Sequence, residues 1–138
     1  MIAYLDSSVL LRVLLGQPNR LEEWKKIETA VASALVEVEC LRTLDRLRVQ
    51  EGLGDAELAA RREAVYRLTE EIEIVEPTRP VLSRASHSFP TPLGTLDAIH
   101  LATALLWNEK ERKDLVMATH DTALGIAARA CGLRVVGI

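Results

Sequence analysis

Four carboxylates stand where this chain is set to change from an apolar run into a helix, or in the opening turns of one. Asp6 follows Ile2-Ala3-Tyr4-Leu5, and Asp121 follows Leu115-Val116-Met117-Ala118 by two residues. Asp97 lies just inside a segment that Thr95 is placed to cap, and Glu39 lies early in the segment that follows Val31 to Leu35. If strand order brings these ends together, the four acids share one pocket. Carboxylates so placed repel each other and stay ionised only beside a cation, and oxygen-only ligation suits magnesium or manganese. Such a centre can activate water and stabilise both oxygens of an in-line displacement at phosphorus.

Each acid has a plainer reading. Asp6, Asp97 and Asp121 also suit helix caps or first-turn acids, which stabilise a helix by about 0.3 to 1 kcal/mol apiece. Helical periodicity does not separate Glu39 from Glu37, and a helical glutamate is ordinarily solvated. The combination of positions points to a site where no single member does. His100 and His120 could serve as ligand or base, but a hard-oxygen centre has no need of imidazole, and His100 reads more simply as a packed or hydrogen-bonded helix residue. His87 falls in a polar loop. Arg42, Arg46, Arg61, Arg62 and Arg67 could face RNA, although solvated helix faces have the same pattern.

The elements that must carry these residues are short. The spacing predicts strands at Ile2 to Leu5, Val31 to Leu35, Ile72 to Val75, Leu115 to Ala118 and Arg134 to Val136. It predicts helices over Val9 to Leu15, Asn19 to Thr29, Val36 to Gln50, Ala56 to Glu71, Pro80 to Ser88, Thr95 to Leu106 and Ala123 to Cys131. Gly52, Gly54, Pro90, Pro92, Gly94 and Gly132 mark the stops. Uniformly apolar strands alternating with helices predict an α/β fold of three layers, α/β/α, around a central, mainly parallel sheet. In such sheets ligands bind beyond the carboxyl ends of the strands, where Asp6 and Asp121 stand.

Composition limits the function classes. The 138 residues are the size of one domain, 1-138, and 49% hydrophobic with 27% charged residues is the balance of a folded soluble protein. A net charge of −3 gives no bulk attraction to nucleic acid, so phosphate binding must come from a local patch or from metal. Asp6 and Arg12 interrupt the apolar start and no basic segment precedes it, which argues against a signal peptide and for the cytoplasm without membrane attachment. Cys40 and Cys131 lack C-x-x-C spacing and suit reduced core thiols.

Four segments together resemble the ordered signature blocks of PIN-domain proteins, and most closely those of the VapC-type toxins. They are Leu5-Asp6-Ser7-Ser8-Val9-Leu10, Leu35-Val36-Glu37-Val38-Glu39-Cys40-Leu41-Arg42, Leu96-Asp97-Ala98-Ile99-His100-Leu101-Ala102-Thr103-Ala104 and Ala118-Thr119-His120-Asp121-Thr122-Ala123-Leu124. The resemblance spans the chain and is most specific around Asp97. It implies an endoribonuclease dependent on Mg2+ or Mn2+, the toxin of a toxin–antitoxin pair, with RNA as substrate, a cognate antitoxin as partner and a homodimeric state. It assigns the metal-binding and catalytic acids to Asp6, Glu39 rather than Glu37, Asp97 and Asp121, with Ser8 and Thr119 as supporting hydroxyls. The helices near Val36 to Leu47 and Ala56 to Leu68, apolar beyond the needs of a small domain, also point to a homodimer.

Other classes fit less well. A phosphohydrolase of the haloacid dehalogenase type needs a second aspartate two residues after the first, and that position is Ser8. A receiver-like domain needs a lysine after a late strand, and no lysine follows Lys113. The alternative from another class is a non-catalytic PIN-like domain that binds RNA or protein, against which stands the keeping of four like charges together.

Overall fold

The computed structural model describes residues 1–138. Five strands, β1 (Ile2–Leu5), β2 (Thr29–Ser33), β3 (Glu73–Val75), β4 (Leu115–Ala118) and β5 (Arg134–Val136), form one sheet in the order β3-β2-β1-β4-β5. Every neighbouring pair is parallel. The chain therefore moves outward from β1 through β2 to β3, then returns to lay β4 on the other side of β1. The order reverses between β1 and β4, the point in an open parallel sheet from which the loops leave the strand ends in opposite directions. Asp6 sits at that point: its backbone N–H donates to the carbonyl of Ala118 at the end of β4, 3.1 Å away.

Side chains alternate across the sheet and give each face its own core. Ala3, Leu5 and Ala32 pack with Val9, Leu10, Val36, Cys40, Leu44 and Val65 from α1 (Ser7–Leu14), α2 (Leu35–Glu51) and α3 (Asp55–Glu70). Tyr4, Val31 and Met117 pack on the opposite face with Leu101, Ala104, Leu124 and Ala127 from α5 (Thr95–Glu111) and α6 (Thr122–Ala130). The short α4 (Arg79–Ala85) lies against α5. The three-layer α/β/α arrangement follows from this division. Burial of one leucine such as Leu44, fully enclosed at 0% exposure, stabilises by about 1.5 to 3 kcal/mol. No helix is long and apolar enough to cross a membrane.

Local chemistry explains the boundaries. Val36, Cys40 and Leu44, one helical turn apart, are the buried stripe of α2, and Gly52 ends it in the left-handed conformation at φ +65°. Pro80 sits in the first turn of α4, where its missing N–H costs nothing.

Three expectations are corrected. The helix expected over Asn19 to Thr29 is a five-residue 3-10 turn at Glu22–Lys26, and Thr29 already belongs to β2. Leu21, Trp24 and Ile27 recur every third residue, the period of a 3-10 helix rather than an α-helix. The second strand ends at Ser33 and not Leu35, because Ala34 and Leu35 turn into α2, where the Leu35 N–H donates to Ser33 Oγ at 3.2 Å. Thr95 does not cap α5: Gly94 holds the N-cap position with no side-chain bond, and Thr95 is the first helical residue.

Candidate active site

Asp6 is the N-cap of α1 and is only 3% exposed. A carboxylate so buried has to be satisfied by donors, and two hydroxyls supply them. Ser8 Oγ donates to Asp6 Oδ2 at 2.5 Å and Thr119 Oγ1 donates to the same oxygen at 2.9 Å. Each hydroxyl also accepts a backbone N–H from the turn after β4: His120 N to Ser8 Oγ and Asp121 N to Thr119 Oγ1, both 2.9 Å. Since a hydroxyl has one proton, both are committed to Asp6, and their lone pairs hold the β4–α6 turn. Ser8 and Thr119, expected as supporting residues, thus join the ends of β1 and β4.

Asp121 caps α6, with Oδ1 accepting from the Leu124 N–H at 2.9 Å. Capping and membership of the acid group are therefore compatible at both Asp6 and Asp121. Of the two glutamates that periodicity could not separate, Glu37 is exposed and Glu39 turns inward. Both Glu39 oxygens have protein donors: Oε1 lies 2.5 Å from His100 Nε2, and Oε2 accepts from Ser7 Oγ at 3.1 Å. Asp97, half-buried in the first turn of α5, has its carboxyl pKa raised, first by burial and then by the charges of Asp121, Asp6 and Glu39, against a lowering by His100. The four acids lie within electrostatic reach of one another.

Two further residues touch this group: His100, expected from the sequence as a packed or hydrogen-bonded helix residue, and Tyr4, which the sequence reading did not single out. His100 is fully buried, and its Nδ1 lies 2.9 Å from the Tyr4 hydroxyl, which accepts the Ser33 N–H at 3.2 Å. Its Nε2 is 4.0 Å from Asp6 Oδ1. Burial acts to lower the His100 pKa, but the hydrogen bond to Glu39 and the charges of Glu39, Asp6 and Asp97 outweigh it, and the net shift is upward. Burial raises the Tyr4 pKa and keeps that phenol protonated. A sequence signal existed for each. His100 is three residues after Asp97 on one helix face, and Tyr4 is two before Asp6 on one strand face.

The remaining candidates fall outside. His120 turns its Nδ1 to the carbonyl of Gly137 at 2.8 Å, and His87, exposed, bonds Ser83 O. Arg42 pairs with Asp45, Arg46 donates to Thr43, Arg62 to Tyr66 and Arg67 lies by Glu63, each on its own helix. Arg61 reaches across to the Leu14 carbonyl at the end of α1. Cys40 and Cys131 are free thiols.

The donor chemistry of the acids fits a hard divalent cation: all are oxygen donors, and the charges of Asp121, Asp6 and Glu39 bear on a half-buried Asp97 against the single opposing contribution of His100. No three acid, cysteine or histidine side chains grip a single point in this arrangement. Glu39 is held by His100 and Ser7, and Asp6 Oδ2 by the two hydroxyls, so these acids would offer an ion their remaining lone pairs.

A PIN domain family model matches residues 3–130. Ribonuclease VapC46 of Mycobacterium tuberculosis is 31% identical over 137 residues, covering 96% of this chain and 95% of that protein. Among solved structures, FitAcB from Neisseria gonorrhoeae superposes with a TM-score of 0.69 at 19% identity, covering 98% of this chain and 96% of that one. A toxin-antitoxin complex from Klebsiella pneumoniae gives 0.67 at 14% identity, covering 94% of each chain. With a family match over nearly its whole length and a full-length VapC relative, the chain belongs to the PIN-domain family, in its VapC-type branch.

Proposed function

We propose that this protein is a divalent-metal-dependent endoribonuclease that hydrolyses RNA phosphodiester bonds and acts as the toxin of a toxin–antitoxin pair. The observation that carries the reading is the gathering of Asp6, Glu39, Asp97 and Asp121 at the reversal point of an all-parallel sheet. Kinship with a protein named a ribonuclease over 96% of the chain supports RNA as the substrate. The likeness to a toxin-antitoxin complex supports a cognate antitoxin as partner.

Asp6 and Asp97, with Glu39 and Asp121, would hold the metal, Mg2+ or Mn2+. When bound, the ion would lower the pKa of a coordinated water and neutralise charge developing on the phosphate oxygens. The chain's own residues prepare for this. Ser8 and Thr119 fix one oxygen of Asp6 and leave Oδ1 with only long contacts, 3.5 Å from Ser7 Oγ and 4.0 Å from His100 Nε2. Asp97, its pKa raised, is the acid most in need of a counter-charge.

The protein acts in the cytoplasm as a single domain, 1-138, and as a homodimer. Val38 and Val49 on α2 and Tyr66 on α3, left exposed, support the dimer, and sedimentation showing only a 15.3 kDa species would exclude it. The deciding experiment is cleavage of a structured RNA pool by the wild type and Asp97→Asn, with Mg2+, with Mn2+ and with EDTA. Metal-dependent cutting by the wild type alone supports the reading; equal cutting by both proteins sinks it.

A further inference from the structure

We infer that Tyr4 and His100 form a positioning device for Glu39, setting its carboxylate in place before any metal arrives. The inference rests on the reading of the four acids as a metal site. A glutamate on a half-exposed helix turn has three free torsions and would have to be ordered by the ion it binds. Here that ordering is already done by the protein. His100 is enclosed at 0% exposure and holds Oε1, while Ser7 holds Oε2, so the plane of the carboxylate is defined from both ends.

His100 cannot set that plane unless its own ring is fixed, and Tyr4 does this. The Tyr4 hydroxyl accepts the backbone N–H of Ser33 at the end of β2 and shares a hydrogen bond with His100 Nδ1, which fixes the ring from its far side. A carboxylate only accepts, so Nε2 carries the N–H that faces Glu39, in the neutral ring and in the imidazolium alike. The order runs from backbone to phenol to imidazole to carboxylate, and it is anchored in two central strands, β1 and β2, rather than in a loop. Each Glu39 oxygen keeps one lone pair that the protein does not use. The remaining capacity is oriented for an ion or for water bound to it, and ligand-supporting partners of this type change metal affinity by about 10- to 100-fold when removed.

The test is Mn2+ binding to the full chain, read by calorimetry and by the electron paramagnetic resonance of free Mn2+, with RNA left out. Glu39→Gln, His100→Leu, His100→Gln and Tyr4→Phe are compared with the wild type. We expect His100→Leu to weaken Mn2+ binding by about 10-fold or more, His100→Gln, which keeps an N–H for Glu39, to recover most of it, and Tyr4→Phe to weaken it by at least about threefold. Adding His100→Leu to Glu39→Gln should weaken binding no further, since the histidine acts through the glutamate; a purely structural role would make the two losses additive. Should His100→Leu not fold, Tyr4→Phe, which removes one oxygen without changing shape, decides the matter. Binding lost in Asp97→Asn but unchanged in Tyr4→Phe and His100→Leu, with no response to Glu39→Gln, overturns the device and leaves the metal site standing. No Mn2+ binding by the wild type overturns both.

Discussion

Thr119→Val should destabilise this protein far more than its size suggests, because the hydroxyl it removes joins two strand ends. The side chain is fully buried, donates to Asp6 Oδ2 at 2.9 Å and accepts from the Asp121 N–H at 2.9 Å. Valine fills the same volume, so no cavity term enters. A hydrogen bond to a charged group contributes about 1.5 to 3 kcal/mol, and a stranded N–H in a half-buried turn costs about 1 kcal/mol. Some of the first term returns, since Asp6 keeps its 2.5 Å bond from Ser8. The net is about 2 to 4 kcal/mol. With 138 residues at about 2.1 cal/mol/K each, the unfolding entropy is about 0.29 kcal/mol/K, and Tm should fall by about 7 to 14 °C. Calorimetry in EDTA removes any contribution from bound metal. Thr119→Ser is the control: it keeps the hydroxyl and loses one methyl, for about 0.5 to 1.5 kcal/mol. A Thr119→Val protein as stable as Thr119→Ser would refute the reasoning, because the hydroxyl would then contribute nothing.

Other expectations follow the same logic. Asp97→Asn should leave the metal-free protein at least as stable as the wild type at pH 7, with a gain below about 1 kcal/mol for a half-exposed group. The raised Asp97 pKa sets the sign: the group's contribution is present below its unfolded value of about 3.9 and is lost as pH rises through the folded value. The gain should therefore vanish in urea titrations near pH 3. Mn2+ at about 100 times its Kd should add about 2.7 kcal/mol to the wild type and nothing comparable to Asp97→Asn, by thermal shift. Gly137→Ala should cost about 1 to 3 kcal/mol in urea titration, since φ is +99° and a Cβ there would lie 2.5 Å from the Thr119 carbonyl. The Cys40 thiol, pushed up to about 12 by burial and by Glu39 and Asp6, should resist iodoacetamide at pH 8, with Cys131 reacting first. Labelling of Cys40 at the rate of a free thiol would contradict that burial.

The features legible in the sequence were those with a short-range signature. Uniformly apolar runs such as Leu115-Val116-Met117-Ala118 announce strands buried on both faces, and Val36, Cys40 and Leu44 announce a helix with one apolar stripe. The acids stood out as candidates through their combination of positions at strand ends and helix starts, since capping accounts equally well for Asp6 or Asp121 taken alone. The 3-10 turn at Glu22–Lys26 was misread because its polar residues suit an α-helix equally well, and only the three-residue spacing of Leu21, Trp24 and Ile27 distinguishes them. Tyr4 was passed over, and His100 read only as a packed or hydrogen-bonded residue, for a different reason. Their function depends on a partner 96 residues away, and an enclosed histidine looks like any packed residue until Glu39 is seen beside it. The choice between Glu37 and Glu39 likewise depended on which helix face meets the sheet end.

The bond from Thr119 to Asp6 spans 113 residues, that from His120 to Ser8 spans 112, and that from His100 to Glu39 spans 61. None of these can form within a local segment, and β4, the strand beside β1, is among the last elements to be synthesised. A ribosome adding about 5 to 20 residues per second therefore carries, for most of the synthesis, a chain in which Asp6 and Asp121 have not met. The nascent polypeptide gains Asp97 and Asp121 only late, so for most of its synthesis the group of acids is incomplete. Assembly waits until the turn after β4 has emerged and docked, so chains abandoned before that point lack the bonds that join Asp6 to Thr119 and Ser8 to His120.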